Sequence, residues 1–309
     1  MPQESVQTLP AAGLIPSFTA LIEALRPKQW VKNVFVLAPL VFAQGLSDPA
    51  KIRPAIFAFI CFCMAASGLY LINDLVDRKE DQQHPKKRNR PIASGRLSVG
   101  TAVVAAVVIL TVAFSLAFTL DIGFGLLLCL YVAINFFYSS SLKHVVVLDV
   151  MLIAIGFVLR VVAGSVAVHV APSHWILLCT FLLALFLGFT KRRHELTIML
   201  ENSSNHRPVL AHYSPKLLDQ MNTVVLGATV LCYALYTVST ETIAKFHTDH
   251  LIYTLPFVIY GLFRYLYLTH QCEEGGSPTD VLYKDRPLIL CLVLWALACV
   301  LIINFNQLH

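Results

Sequence analysis

Long apolar runs separated by short polar or charged stretches make up most of this chain. They fall near residues 33–47, 54–73, 100–120, 122–140, 145–168, 174–190, 220–240, 251–270 and 287–307. Most approach the roughly 20 residues that a helix needs to cross a hydrocarbon core. The stretch 161–190 has no Asp, Glu, Lys or Arg but exceeds one crossing, and His169, Pro172 and His174 mark a turn within it. The first run is short and begins as early as Pro27. Lipid offers the backbone no hydrogen-bond partner, and uninterrupted runs, unlike the alternation of barrel strands, select helices. The predicted fold class is therefore all-α, a polytopic membrane protein of about nine transmembrane helices.

Composition agrees. Of the 309 residues, 57% are hydrophobic and 13% charged, against about 25% charged in soluble domains, which excludes a soluble globular enzyme. Seven of the eight cysteines (Cys61, Cys63, Cys129, Cys179, Cys232, Cys291 and Cys299) lie in apolar runs without a CxxC pair, so they read as small core residues. With the N-terminus in the cytoplasm, 19 of the 23 Lys and Arg residues share that side, leaving Lys51, Arg53 and Lys245 opposite and Arg160 inside a span. The net charge of +5 then records orientation rather than nucleic-acid binding, and the C-terminus lies outside. The first 26 residues lack the short apolar core of a signal peptide. One integral-membrane domain is expected over 1–309: an N-terminal cytoplasmic segment (1–25) and a nine-helix bundle (26–309). A homo-oligomer is compatible with this reading.

The acidic residues are less ordinary. Asn73, Asp74, Asp77 and Asp81 fall within an arc of about 100° on a helix, next to Glu80 and just past the second apolar run. Oxygen donors without clustered Cys or His suit Mg²⁺, which takes one or two carboxylates plus substrate phosphates and water. A solvated helix end with weak i,i+4 ion pairs needs no function. The position at the membrane boundary, and the basic run from His84 through Lys86, Lys87, Arg88 and Arg90 to Pro91, favour a site.

Asn73, Asp74, Asp77 and Asp81 match NDxxDxxxD, the first signature of the UbiA-type intramembrane prenyltransferase superfamily, which the chain resembles over nearly its whole length. The resemblance implies a bundle around a lipid-open cavity with a cytoplasmic charged cap. Aromatic members carry a second aspartate-rich motif after the sixth helix, which helps a second Mg²⁺ hold a prenyl diphosphate. Here that segment reads Lys191, Arg192, Arg193, His194, Glu195, mostly cations able to bind phosphate directly. Together with RPKQWVKN (26–33), HPKKRNRPIASG (84–95) and SLKHVVVLD (141–149), this departure resembles the decaprenyl-phosphate phosphoribosyltransferase branch.

That branch transfers phosphoribose from 5-phosphoribosyl diphosphate to a polyprenyl phosphate held in the bilayer. By resemblance, Asp74, Asp77 and Asp81 are catalytic and, with Asn73, hold Mg²⁺. Lys28, Lys32 and Asn33 contact phosphate or ribose, Lys86, Arg88 and Arg90 form a phosphate-facing loop, and Tyr138 with Lys143 fits a YxxxK-like element. Asp149 is a third metal or ribose contact, or a partner of Lys143. Arg160, eleven residues on along nearly the same face, is either a substrate contact or half of a structural ion pair. Lys191, Arg192 and Glu195 meet substrate, and Lys191 and Glu195 also suit an i,i+4 brace. Asp280, Asp285 and Arg286 match the branch and equally suit a solvated loop, while His169, His174, His247 and His250 read as bystanders. Two rivals stand beside this reading: an aromatic prenyltransferase of the same fold, and a non-enzymatic transporter or lipid-binding protein.

Overall fold

The computed structural model describes residues 18–42, 45, 48–84, 87–202, 208–271, 281 and 284–305. Its helices are α1 (Phe18–Leu25), α2 (Ala38–Phe42), α3 (Pro49–Val76), α4 (Arg78–Gln83), α5 (Val99–Leu120), α6 (Ile122–Ser140), α7 (Leu148–Ala167), α8 (His174–Asn202), α9 (Pro215–Val238), α10 (Thr240–Phe246), α11 (Leu255–Gln271) and α12 (Arg286–Phe305). Side-chain caps satisfy several helix starts: Asp48, Ser98, Asp121, Ser214 and Ser239 each accept a backbone N–H of the first turn. Asp121 alone separates α5 from α6, ending one helix and capping the next, so the two form an antiparallel hairpin.

Among the described residues, eight stretches are long and apolar enough to cross a membrane: α3, α5 to α9, the run from His250 through α11, and α12. The expected first span differs. Pro27–Val36 winds as a 3₁₀ helix and is followed by the five-residue α2, with residues 43, 44, 46 and 47 outside the described set. The reason is room. A Cβ on Gly164 of α7 would collide with the Val36 carbonyl, so the two backbones touch, and a 3₁₀ coil is narrower than an α-helix. Residues 18–25 of the expected cytoplasmic segment form α1, which docks Ala20 and Ala24 against Leu71, Ile92, Leu97, Ala102 and Ala106.

Small residues line the helix contacts. Ala58, Ala65, Ala113, Ala117, Ala163 and Ala167 pack with Phe62, Phe124, Leu128 and Tyr131 in the core shared by α3, α5, α6 and α7. Close backbone approach replaces the hydrophobic drive that lipid removes. A second core joins α7, α8 and α9 through Val150, Ala154, Leu185, Phe189 and Leu218, with Tyr213 of the α8–α9 connection, and a third joins α8, α9, α11 and α12 around Phe186 and Tyr265. The outward faces stay apolar, as at Val104, Val107 and Val108 on α5 and Leu290, Leu297 and Leu301 on α12, which suits contact with lipid. The seven described cysteines are free thiols within these helices, as core packing requires.

Candidate active site

Alternating helix directions bring one set of ends together: the end of α3 with α4, the end of α6, the start of α7, the end of α8 and the start of α9. Three polar clusters occupy this end of the bundle. In the first, Asp74 and Asp81 are buried and face one nitrogen, Nη1 of Arg90, at 3.1 and 2.6 Å. Arg26 donates to the same Asp74 oxygen at 2.6 Å, and Lys87 lies 3.9 Å from Asp81. Trp30 donates to Ser67 and Ser67 to the Leu25 carbonyl, which fastens the Arg26 turn to α3. Arg26 has a positive φ of 54°.

The three aspartates are not gathered around one point. Among the described residues, no group of three His, Cys, Asp or Glu side chains converges. The helix breaks at Asp77 (ψ 4°), while Arg26 and Arg90 draw Asp74 and Asp81 to themselves. Asp77 and Asn73 are half-buried, linked by the Asp77 N–H to the Asn73 carbonyl at 2.9 Å. The buried pair already clasps a cation, and two carboxylates are what Mg²⁺ takes when phosphate and water complete its shell. This donor set fits such an ion. Arg88 is exposed on the same loop, and Lys86 lies outside the described residues. The buried Nε of Arg78, one residue after Asp77, has no hydrogen-bond partner among the described residues.

The second cluster centres on Arg192, 1% exposed, and Asp149, 0% exposed. Arg192 Nε meets Asp149 Oδ2 at 2.6 Å, Nη1 meets Glu195 at 2.7 Å and Nη2 donates to the Tyr138 hydroxyl at 3.2 Å. Asp149 therefore pairs with Arg192 rather than Lys143. Its second oxygen accepts from Tyr213 at 2.9 Å, and Tyr213 in turn accepts the Val147 N–H at 2.6 Å. Burial pushes the Tyr213 phenol up to about 12, so it stays a donor at any working pH. Lys191 and Glu195 form the expected i,i+4 pair at 3.7 Å. Lys143 is half-buried on the adjoining 3₁₀ turn (Leu142–His144), Lys28 is exposed and Lys32 half-buried. The neighbouring Arg193 pairs with Asp219 and Thr197, and Arg264 with Asp285 at 2.8 Å.

The third cluster lies deeper. Arg160 donates from Nε to Asn33 Oδ1 at 2.8 Å, from Nη1 to the Gly156 carbonyl at 2.8 Å and from Nη2 to the Tyr131 hydroxyl at 2.7 Å. The rings of Tyr131 and Phe157 flank its guanidinium at 4.7 and 5.0 Å. Asn33, fully buried, also donates to Cys63 at 3.3 Å.

A buried basic and acidic cap over an apolar helical bundle fits the family expected from the motif, and residues 34–279 match the UbiA prenyltransferase family. The chain belongs to that family. The decaprenyl-phosphate phosphoribosyltransferase of Corynebacterium glutamicum is 35% identical over 91% of this chain and 86% of its own length. The enzyme of the same name from Mycolicibacterium smegmatis is 32% identical over 94% of the chain and 95% of its own length. A UbiA homologue from Archaeoglobus fulgidus, solved bound to DMAPP and Mg²⁺, matches with a TM-score of 0.68 at 19% identity, covering 92% of this chain and 99% of that one. This last likeness carries the fold.

Within the UbiA fold, three participants had little or no voice in the sequence. Arg26 opens the RPKQWVKN stretch but otherwise counts only among the basic residues of one side. Tyr131 precedes Tyr138 by two helical turns, a spacing that places both on one face. Tyr213 carries no motif and is recruited only by the folding of the α8–α9 connection.

Proposed function

We propose that this protein is a membrane transferase that moves 5-phosphoribose from 5-phosphoribosyl diphosphate to a polyprenyl phosphate, with Mg²⁺, releasing diphosphate. The observation that carries this reading is that Asp149 and Glu195 are tied up by Arg192, so Asp74 and Asp81 are left as the carboxylate pair able to exchange its cations. A site with two metal-holding carboxylate motifs would serve a prenyl diphosphate. One such motif among cations serves a substrate set rich in phosphate, and near-full-length similarity to proteins named for that reaction supports it.

Asp74 and Asp81 would hold Mg²⁺ on the donor diphosphate, with Asn73 and Asp77 beside them. Bound there, the ion supplies positive charge to the departing diphosphate. Arg26, Arg90 and Lys87, released from the carboxylates, take phosphate oxygens, together with Lys28, Lys32, Lys86 and Arg88. Arg192 serves chiefly as the fixed counter-charge that orients Asp149, Glu195 and Tyr138. Lys143 and Lys191 border this group. The carboxylates of the first cluster would also favour the positive charge that develops at C1 of ribose. The acceptor is a phosphate monoester, already anionic, so the chain needs no general base. Attack opposite the leaving group inverts C1 and gives a β-linked product. The charged end faces the cytoplasm, where the basic residues concentrate, and the lipid enters sideways from the bilayer.

Purified protein given radiolabelled 5-phosphoribosyl diphosphate, a polyprenyl phosphate and Mg²⁺ should pass label into the organic-extractable lipid, and EDTA should stop it. Folded protein that transfers nothing across several polyprenyl lengths, yet prenylates an aromatic acid, would reassign it to the aromatic branch. The linkage is checked by NMR of the product, where an α-anomer overturns the inverting mechanism.

A further inference from the structure

Arg160 and Arg192 are the arginines buried from solvent among the described residues, and they are treated oppositely. Arg192 has two carboxylates. Arg160, 6% exposed, has none among the described residues, only an amide, a carbonyl and a phenol. A charge within a membrane helix is costly, and such charges are generally paired or face a pathway. Neutral dipoles and two aromatic faces soften that cost without cancelling the charge. Among the described residues, the bundle thus holds a positive point in its interior that no carboxylate balances.

The geometry of this point is that of a receptor. A guanidinium carries five N–H donors in a planar fork. The three hydrogen bonds take one from each nitrogen, which leaves one N–H on Nη1 and one on Nη2 to donate to anion oxygens. Asn33 and Tyr131 fix the plane from two other elements, so the fork does not swing. Gly156 presents no side chain beside Nη1, and a Cβ there would meet nothing closer than 3.7 Å.

The location narrows the anion. Asn33 sits seven residues along the 3₁₀ segment from Arg26, about 14 Å at 2 Å per residue. Gly156, whose carbonyl anchors Nη1, sits seven residues into α7 from Asp149, about 10 Å along the helix. The fork thus lies beneath the cap and reaches back toward it. The donor's diphosphate belongs to the carboxylate pair and its surrounding cations in the proposed reaction. What that reaction leaves to be held is a phosphate monoester, present on both substrates: the lipid's own phosphate and the 5-phosphate of the donor.

We infer that the Arg160–Asn33–Tyr131 cradle is a phosphate-monoester subsite, separate from the diphosphate site at Asp74 and Asp81. The inference rests on the phosphoribosyl-transfer reading and deepens it. Calorimetric titration of the full-length protein in lipid nanodiscs tests it with three probes: a short-chain polyprenyl phosphate, ribose 5-phosphate, and inorganic pyrophosphate with Mg²⁺. Arg160→Gln should weaken one of the two monoesters by about 30-fold or more, as loss of a buried charged partner does, while pyrophosphate–Mg²⁺ binding stays within a factor of two or so of wild type. Loss confined to the lipid phosphate assigns the cradle to the acceptor, and loss confined to ribose 5-phosphate assigns it to the donor. Unchanged binding of both monoesters overturns the inference and makes Arg160 structural. Wild-type protein that binds none of the three probes overturns the functional reading itself, which keeps the two failures distinct. Asn33→Asp guards against misfolding: it gives the guanidinium a carboxylate of its own, so the fold should persist, melting no lower than wild type, while monoester affinity falls.

Discussion

The two carboxylate clusters at the charged end use the same residue types and differ in where their cations come from. Around Asp74 and Asp81 the cations arrive from turns: Arg26 just before the 3₁₀ segment, Lys87 and Arg90 from the loop after α4, with Arg90 still 28% exposed. Around Asp149 the cation is Arg192, set mid-helix in α8 and closed from solvent, with partners from α6, α7 and α8, while Tyr213 of the α8–α9 connection donates to the other Asp149 oxygen. A loop-borne, half-exposed arginine can leave a carboxylate without exposing it to lipid. A helix-borne, buried one cannot. The first cluster is built to exchange its cations for a ligand, and the second to hold the helices that frame it.

The exchangeable side is tested most severely at Asp81. Asp81→Asn keeps the volume and a hydrogen-bond acceptor for Arg90 but removes the charge that would hold a metal. Transfer should fall by about 10³-fold or more, the scale of losing a principal source of transition-state charge stabilisation, while the melting temperature stays close to wild type. A variant that keeps most of its activity would remove Asp81 from the essential set and leave the first cluster as an ordinary helix end.

The fixed side should show the inverse pattern. Arg192→Met leaves Asp149 buried without its cation, and breaking a buried pair from one side costs about 3–5 kcal/mol. Thermal unfolding followed in detergent should record a large drop. Adding Asp149→Leu should recover much of it, because the double variant buries no lone charge. No recovery would mean that Asp149 and Arg192 contribute separately, and the contrast between exchangeable and fixed clusters would then fail.

Tyr213→Phe is a finer probe of the same cluster. Its hydroxyl both accepts the Val147 N–H and donates to Asp149, and Val147 is a β-branched residue held at φ 67°, a conformation such side chains rarely adopt. Losing a hydrogen bond to a charged group costs about 1.5–3 kcal/mol. Stability should drop by less than in Arg192→Met, and hydrogen exchange should quicken first at the start of α7. Protection lost evenly over the whole bundle would show that Tyr213 does not act through that turn.

These contrasts mark what the sequence could and could not disclose. Asp74 and Asp81 are seven residues apart, a spacing that returns to one helix face, and the Asp81 N–H still bonds the Asp77 carbonyl across the break, so the periodic reading survived there. Lys191 and Glu195, four apart, were legible for the same reason. Arg192 and Asp149 are 43 residues apart, and Arg160 and Asn33 are 127 apart. No local period encodes such pairs, and a basic run reads as surface until packing buries one of its members. The helical spans were plain from apolar length, but the 3₁₀ form of Pro27–Val36 was not, because it follows from the touching backbones at Gly164.

Arg264 and Asp285 offer a third pair between the two extremes, and its loss should be felt least. Arg264 is on α11, Asp285 precedes α12, and the carboxylate also caps α12 by accepting the Leu288 N–H at 2.8 Å. The hydrogen bond from the Arg264 guanidinium, aided by that cap and by the guanidinium's charge, holds the Asp285 carboxyl below the usual range despite partial burial. A carboxyl whose value is lower in the folded state contributes stability above its unfolded value, about 3.9, and that contribution is lost as pH falls through the lower, folded value. The wild type should therefore lose melting temperature below about pH 4 more steeply than Asp285→Asn, while at neutral pH the variant should be slightly the less stable. Parallel pH profiles for the two would mean that Asp285 is as solvated in effect as a surface carboxylate, and that burial at this end of the bundle makes a fixed pair only where, as at Arg192, the cation is closed off too.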